Sequence, residues 1–177
     1  MIVTDTAIPD VKVFSPSVHA DERGFFMESF RASWLPDFEF VQDNHSRSVK
    51  GTLRGLHYQL NQPQGKLIRV TEGSVFDVAV DIRRSSPYFG QYVSRELTAA
   101  NKEIFWVPPG FAHGFLVTSE TAEFTYKCTA YYAPDDERGI SWGDPELAIA
   151  WPEDPLPPLL SNKDEQLPLL PDAEVYP

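Results

Sequence analysis

The chain has 177 residues, 42% of them apolar and 13% aromatic, enough to bury one sizeable core. Its net charge of −11 argues against a nucleic-acid surface, since neutralising phosphates along a strand needs a basic face. Sixteen prolines and ten glycines favour turns and short strands over long helices.

The single cysteine, Cys128, allows no intrachain disulfide. No basic-then-apolar leader opens the sequence and no apolar run reaches about 18 residues. The expectation is one soluble domain over residues 1–177, working in a reducing cytoplasm with no membrane contact.

Residues 1–20 read as an entry strand and turn. In Asp21–Phe30, Phe26, Glu28 and Phe30 share a face by alternation, and Arg23 sits at the Gly24 turn. From these residues alone a surface hairpin with a solvated Arg and Glu is the favoured reading. Arg31 to Pro36 is expected to make about one helical turn, stopped by proline, and Phe38 to Val41 a strand. The polar run Gln42 to Ser48 reads as a loop, either solvated or ligand-contacting.

The densest chemistry lies in Gly51–Lys66, where Arg54, His57, Gln59, Gln64 and Lys66 crowd a strand-like segment. So many polar groups point to a pocket wall. In a regular strand Arg54 and His57 would face opposite ways, so serving one pocket requires a distortion, which Gly55 permits. Lys66–Val70 and Ser74–Ile82 read as strands turning at Glu72-Gly73, with Phe76, Val78, Val80 and Ile82 on one face and Asp77 and Asp81 on the other. Strands follow at 92–97, 104–107, 111–117 and 123–129, the last placing Phe124, Tyr126 and Cys128 together.

Strand-sized runs every 8–12 residues, with turns between, predict an all-β sandwich or barrel. From Pro152 the texture changes, with seven of the sixteen prolines in the last 26 residues. An extended Pro-rich C-terminal segment over the barrel is expected, with a short helix near 162–167 and a polar knot at Ser161–Asp164.

His57 is the first candidate base, since imidazole suits proton transfer near neutral pH; a satisfied structural histidine is the bland alternative. Arg54 and Lys66 nearby could hold an anion or steady an enolate. Tyr126 could donate a proton from the opposite side of a pocket, or simply belong to the core. A metal site is poorly supported, because His57-Tyr-Gln59 has glutamine where a H-x-H pair would need histidine. No Walker loop, dinucleotide fingerprint or G-x-S-x-G elbow is present.

Seven motifs and an ending occur in one order: Asp21-Glu-Arg-Gly-Phe-Phe, Phe40-Val-Gln-Asp-Asn-His-Ser, Leu53-Arg-Gly-Leu-His-Tyr-Gln, Pro63-Gln-Gly-Lys, Val78-Ala-Val-Asp-Ile-Arg, Trp106-Val-Pro-Pro-Gly-Phe-Ala-His-Gly-Phe, Tyr126-Lys-Cys and Leu160-Ser-Asn-Lys-Asp. Taken together they resemble the dTDP-4-dehydrorhamnose 3,5-epimerase family over nearly the whole chain.

The resemblance implies a cupin-type jelly roll, a homodimer, and no cofactor or metal. It implies dTDP-4-dehydro-6-deoxy-D-glucose as substrate, epimerised at C3 and C5. On that basis His57 matches the base, Asp164 its carboxylate partner, Tyr126 the acid, and Lys66 a cation at the enolate oxygen. Arg23, Glu28, Gln42, Asn44, Arg54 and His113 match nucleotide and phosphate contacts. Tyr132 matches an aromatic stacked on thymine, Glu137 a further substrate contact, and Phe26 a neighbour of the nucleotide. An epimerase of one carbon only, a non-catalytic sugar-nucleotide-binding jelly roll, and a metal-dependent cupin enzyme are the competing readings.

Overall fold

The computed structural model describes residues 1–177. Thirteen strands carry the fold. They are β1 (Ile2–Asp5), β2 (Lys12–Ser15), β3 (Val18–Asp21), β4 (Gly24–Met27), β5 (Gln42–Val49), β6 (Leu53–Gln59), β7 (Lys66–Glu72), β8 (Ser74–Asp81), β9 (Tyr92–Thr98), β10 (Ile104–Val107), β11 (Phe111–Val117), β12 (Thr121–Cys128) and β13 (Glu137–Gly139). Helix is confined to four single 3-10 turns, and no helix is long and apolar enough to cross a membrane.

A six-stranded sheet in the order β1-β2-β10-β7-β12-β5 faces a five-stranded sheet in the order β13-β6-β11-β8-β9. Every ladder is antiparallel, and β3 and β4 form a separate hairpin. Between the sheets lies the main core, where Ile68, Val70 and Phe105 meet Val75, Phe111, Phe115 and Val117. Fully burying one such side chain stabilises by about 1.5–3 kcal/mol.

Both sheets are also covered outside, which explains strands apolar on two faces. On β8, Val75 and Ala79 face the main core, while Val78 and Val80, with Ile82 just beyond the strand, face a second cluster built with Ile140, Leu147, Leu170 and Ala173. Trp151, Val175 and Tyr176 also pack on this outer cluster, and the residues after 150 form no named strand. Phe14, Leu67, Ile104 and Trp106, outside the six-stranded sheet, lie under Phe30, Trp34, Leu35, Phe38 and Phe40.

Four sequence expectations are corrected here. Residues 1–20 form three short strands instead of one. Phe38–Val41 is irregular, because Phe38 and Phe40 earn more burial by turning onto Trp106 than by pairing. The run taken as a loop is β5, an eight-residue edge strand. It is polar on both faces because Gln42, Asn44 and Ser46 line a cavity while its alternate residues face solvent. The shared face of Phe26, Glu28 and Phe30 also fails. β4 stops at Met27, Glu28 accepts a hydrogen bond from Arg31 at 2.8 Å, and Phe30 packs edge-on to Phe40. The helical turn expected over Arg31–Pro36 is present as a 3-10 turn at Ala32–Trp34, and the short helix expected near 162–167 as a 3-10 turn at Asp164–Gln166.

Candidate active site

At one end of the jelly roll polar side chains replace the core, and the sheets enclose a cavity of about 600 Å³. β6 supplies Arg54 and His57, β7 Lys66, β11 His113 and β12 Tyr126. β5 adds Gln42 and Asn44, β13 adds Glu137, Tyr132 comes from the loop after β12, and the C-terminal segment brings Ser161 and Asp164.

The distortion expected at Gly55 is present. Pairing of β6 with β11 shifts between His113 and Phe115, Gly55 has φ +128°, and the Gly55–Leu56 peptide is cis. A Cβ at Gly55 would lie 2.5 Å from Gly114 Cα, so only glycine allows this approach. With the register shifted, Arg54 and His57 both line the cavity despite their odd spacing.

His57 Nε2 donates to Asp164 Oδ1 at 2.5 Å, leaving Nδ1 as the nitrogen free to take a proton. Asp164 is only 4% exposed. Burial pushes its carboxyl up, but hydrogen bonds from His57 and Ser161 outweigh that and hold it below the usual carboxylate range. A negative Asp164 stabilises an imidazolium formed on His57.

On the facing sheet, burial raises the Tyr126 phenol above its ordinary value, which keeps it protonated as a donor. Burial lowers the Lys66 ammonium, with Cys128, Glu137 and Asp77 pulling the other way. The Arg54 guanidinium forms no ion pair and reaches only Ser48 Oγ, at 3.2 and 3.3 Å, so it is free to meet an anion. Gln42 orders the mouth, its Nε2 donating to Asn44 Oδ1 at 3.0 Å and its Oε1 accepting the Tyr132 N–H at 2.8 Å. Tyr132 donates to Glu137 Oε2 at 2.7 Å, which pushes the phenol to about 12, and Lys163 pairs with the same carboxylate.

Three side chains stand out that sequence reasoning did not single out. Asp77, fully buried, accepts the His113 Nε2 proton at 2.8 Å, while its Oδ2 has no partner. Burial raises Asp77 and lowers His113, so the imidazole is neutral. Its parity was the available signal, since Asp77 alternates away from the apolar face of β8. Ser161 and Lys163 were visible only as part of a polar knot. No three His, Cys, Asp or Glu side chains converge as metal ligands.

Arg23, Phe26 and Glu28 do not reach this cavity. Arg23 is 85% exposed and paired with Asp21 at 2.5 Å; Phe26 and Glu28 border a separate groove with Met1, His19 and Trp34. The β3–β4 hairpin carries all of its own residues exposed or nearly so, and none of them lines this cavity.

The profile of the dTDP-4-dehydrorhamnose 3,5-epimerase family matches residues 5–172. The chain belongs to this family. It is 56% identical to the dTDP-4-dehydrorhamnose 3,5-epimerase of Pseudomonas aeruginosa, over all of both chains. Its fold superposes with a TM-score of 0.94 on the dTDP-6-deoxy-D-glucose-3,5-epimerase of Legionella pneumophila, solved in complex with dTDP-4-keto-L-rhamnose. That pair shares 52% identity over 97% of this chain and 93% of the other. A 3'-monoepimerase of Streptomyces bikiniensis, solved with dTDP-quinovose, is similar at 35% identity and TM-score 0.88, over 94% of this chain and 87% of that one. The all-β jelly roll is therefore that of the dTDP-4-dehydrorhamnose 3,5-epimerases, and the chain is an isomerase of this family.

Proposed function

We propose that this chain converts dTDP-4-dehydro-6-deoxy-D-glucose to dTDP-4-dehydro-L-rhamnose by epimerisation at C3 and C5, on the route to dTDP-L-rhamnose. The observation that carries the reading is the pairing of His57 with the buried Asp164 on one cavity wall, facing Tyr126 on β12 of the other sheet, with Lys66 beside it on the neighbouring strand β7.

The C4 ketone acidifies the hydrogens on both neighbouring carbons. His57 removes one of them, and Asp164 offsets the positive charge that develops on the imidazole. The electron pair moves into an enolate at the C4 oxygen, where the Lys66 ammonium stabilises it. Tyr126 then returns a proton to the opposite face, inverting that carbon; His57 gives up its proton to solvent and Tyr126 regains one, and the cycle repeats at the second. Each step is a proton transfer without change of oxidation state, so neither a redox cofactor nor a metal is required. Arg54, His113, Gln42 and Asn44 hold the diphosphate and nucleotide, Tyr132 stacks on the thymine, and Glu137 contacts substrate.

A homodimer completes the site. The β3–β4 hairpin exposes Phe25 by 60% and Phe26 by 72%, and edge strand β1 exposes Ile2 by 68%, apolar area that a partner copy would cover. Seated on a second subunit, the hairpin brings Arg23, Phe26 and Glu28 to that subunit's nucleotide. The place of action is the cytoplasm.

Incubation with the substrate in deuterated water tests the reading. Deuterium at both C3 and C5, with L-rhamno product, is the expected result. The monoepimerase among its structural relatives favours one alternative, an enzyme of a single carbon, and exchange confined to that carbon would replace the present reading with it.

A further inference from the structure

Asp164 belongs to a segment that reaches the base from the far end of the chain. Two backbone bonds tie that segment to the strand bearing His57: Leu53 N–H donates to Leu159 O at 3.0 Å, and Leu159 N–H to Gly51 O at 2.8 Å. Beyond this anchor Leu160, Ser161 and Asp164 continue the cavity wall.

The Ser161 hydroxyl engages Asp164 twice. Its Oγ–H donates to Asp164 Oδ2 at 2.7 Å, and the same oxygen accepts the Asp164 backbone N–H at 3.2 Å. His57 takes Oδ1, so each carboxylate oxygen has its own partner. That matters because the terminal torsion of an aspartate is broad and is not set by its rotamer. The Gly55 backbone N–H also bears on this carboxylate, but Ser161 is the side-chain donor on Oδ2, and without it the torsion that keeps Oδ1 on His57 Nε2 is less restrained.

We propose that Ser161 is a positioning residue for the catalytic base, acting through Asp164: it locks the carboxylate plane so that Oδ1 remains on His57. The proposal rests on the reading of His57 as the base. A purely local role, capping the 3-10 turn at Asp164–Gln166, would instead show as lost stability.

The test compares Ser161→Ala and Ser161→Thr in the full-length protein, each alone and with Asp164→Ala. Readouts are kcat, KM, dTDP affinity and Tm. Ser161→Ala is expected to lower kcat about 10-fold, the scale of a lost orienting hydrogen bond to an active-site ligand group, with KM and dTDP affinity unchanged. Ser161→Thr, which keeps the hydroxyl, retains kcat within about 3-fold. On the Asp164→Ala background Ser161→Ala has no further effect, since residues acting as a unit are non-additive.

Unchanged kcat in Ser161→Ala overturns the proposal. So does an equal loss on both backgrounds, or a loss that tracks a fall in Tm and is not rescued by threonine. His57→Ala separates the two levels. If His57→Ala retains turnover the base assignment itself fails, whereas an inactive His57→Ala beside an unaffected Ser161→Ala overturns the Ser161 role alone.

Discussion

His57 and His113 are cross-strand partners, yet their carboxylates give them different work. Asp164 is held below the usual carboxylate range, so it presents a charge to His57. Asp77 is raised by burial and orients a neutral His113. Replacing His57 by alanine should lower kcat by about 10²–10⁴, the usual contribution of a general base, with dTDP binding intact. Tyr126→Phe should lose turnover similarly in steady-state assays.

Asp77→Asn separates charge from hydrogen bonding, since asparagine Oδ1 can still accept from His113. Asp77 is among the groups that raise Lys66 against the opposing effect of burial. Without its charge Lys66 deprotonates more readily, so the alkaline limb of the kcat profile should move to lower pH; an unmoved limb refutes the coupling. The stability effect has the opposite sense. A carboxyl whose pKa is higher folded than unfolded contributes stability at acid pH that is lost as pH rises through the folded value. Above its unfolded pKa Asp77 is thus a cost to stability, and Asp77→Asn should raise Tm while slowing turnover. At this scale the side-chain chemistry of Arg54, His57, Lys66 and Tyr126 was legible in the sequence. The partner of His113 was not, because parity places Asp77 on a face without saying what that face meets.

Among the elements, β6 and β11 are decided by two glycines. A Cβ on Gly55 would lie 2.8 Å from His113 O, and one on Gly114 2.8 Å from Arg54 O. Gly55→Ala adds a left-handed φ to that clash and should destabilise by about 3 kcal/mol or more. It should also lose activity beyond the loss of folded protein, because it moves Arg54 and His57 relative to each other; thermal unfolding and single-turnover rates measure the two effects. The distortion at Gly55 followed from parity alone, since two pocket residues three apart cannot share a regular strand face. β5 was missed for a related reason. Alternation reports burial only when one face is apolar, and here one face is a polar cavity and the other is water. The 38–41 segment failed oppositely, its aromatic side chains going to Trp106 and not to a ladder.

For the whole molecule, the hairpin bearing Arg23, Phe26 and Glu28 stands apart from the cavity that holds the other candidate residues. If a partner delivers it, inactive His57→Ala protomers should complement Arg23→Ala protomers. Random mixing makes about half the dimers hybrid, each with one intact site of two, so recovered activity should approach about a quarter of wild type. No recovery after subunit exchange would show that each chain supplies its own Arg23 or does not need it.

The order of motifs along the chain determined the family, the all-β class and the kinds of side chain available for proton transfer, because these depend on residue type and local spacing. The resemblance already implied that Asp164 partners His57; the tertiary structure supplied the geometry of that pair and alone decided the other meetings. His57 finds Asp164 across 107 positions, His113 finds Asp77 across 36, and Arg23 finds only Asp21. The His113–Asp77 pair depends on the register of β11 on β8, where a one-residue slip would turn the partner to the opposite face, and the His57–Asp164 pair on the C-terminal segment returning to the start of β6.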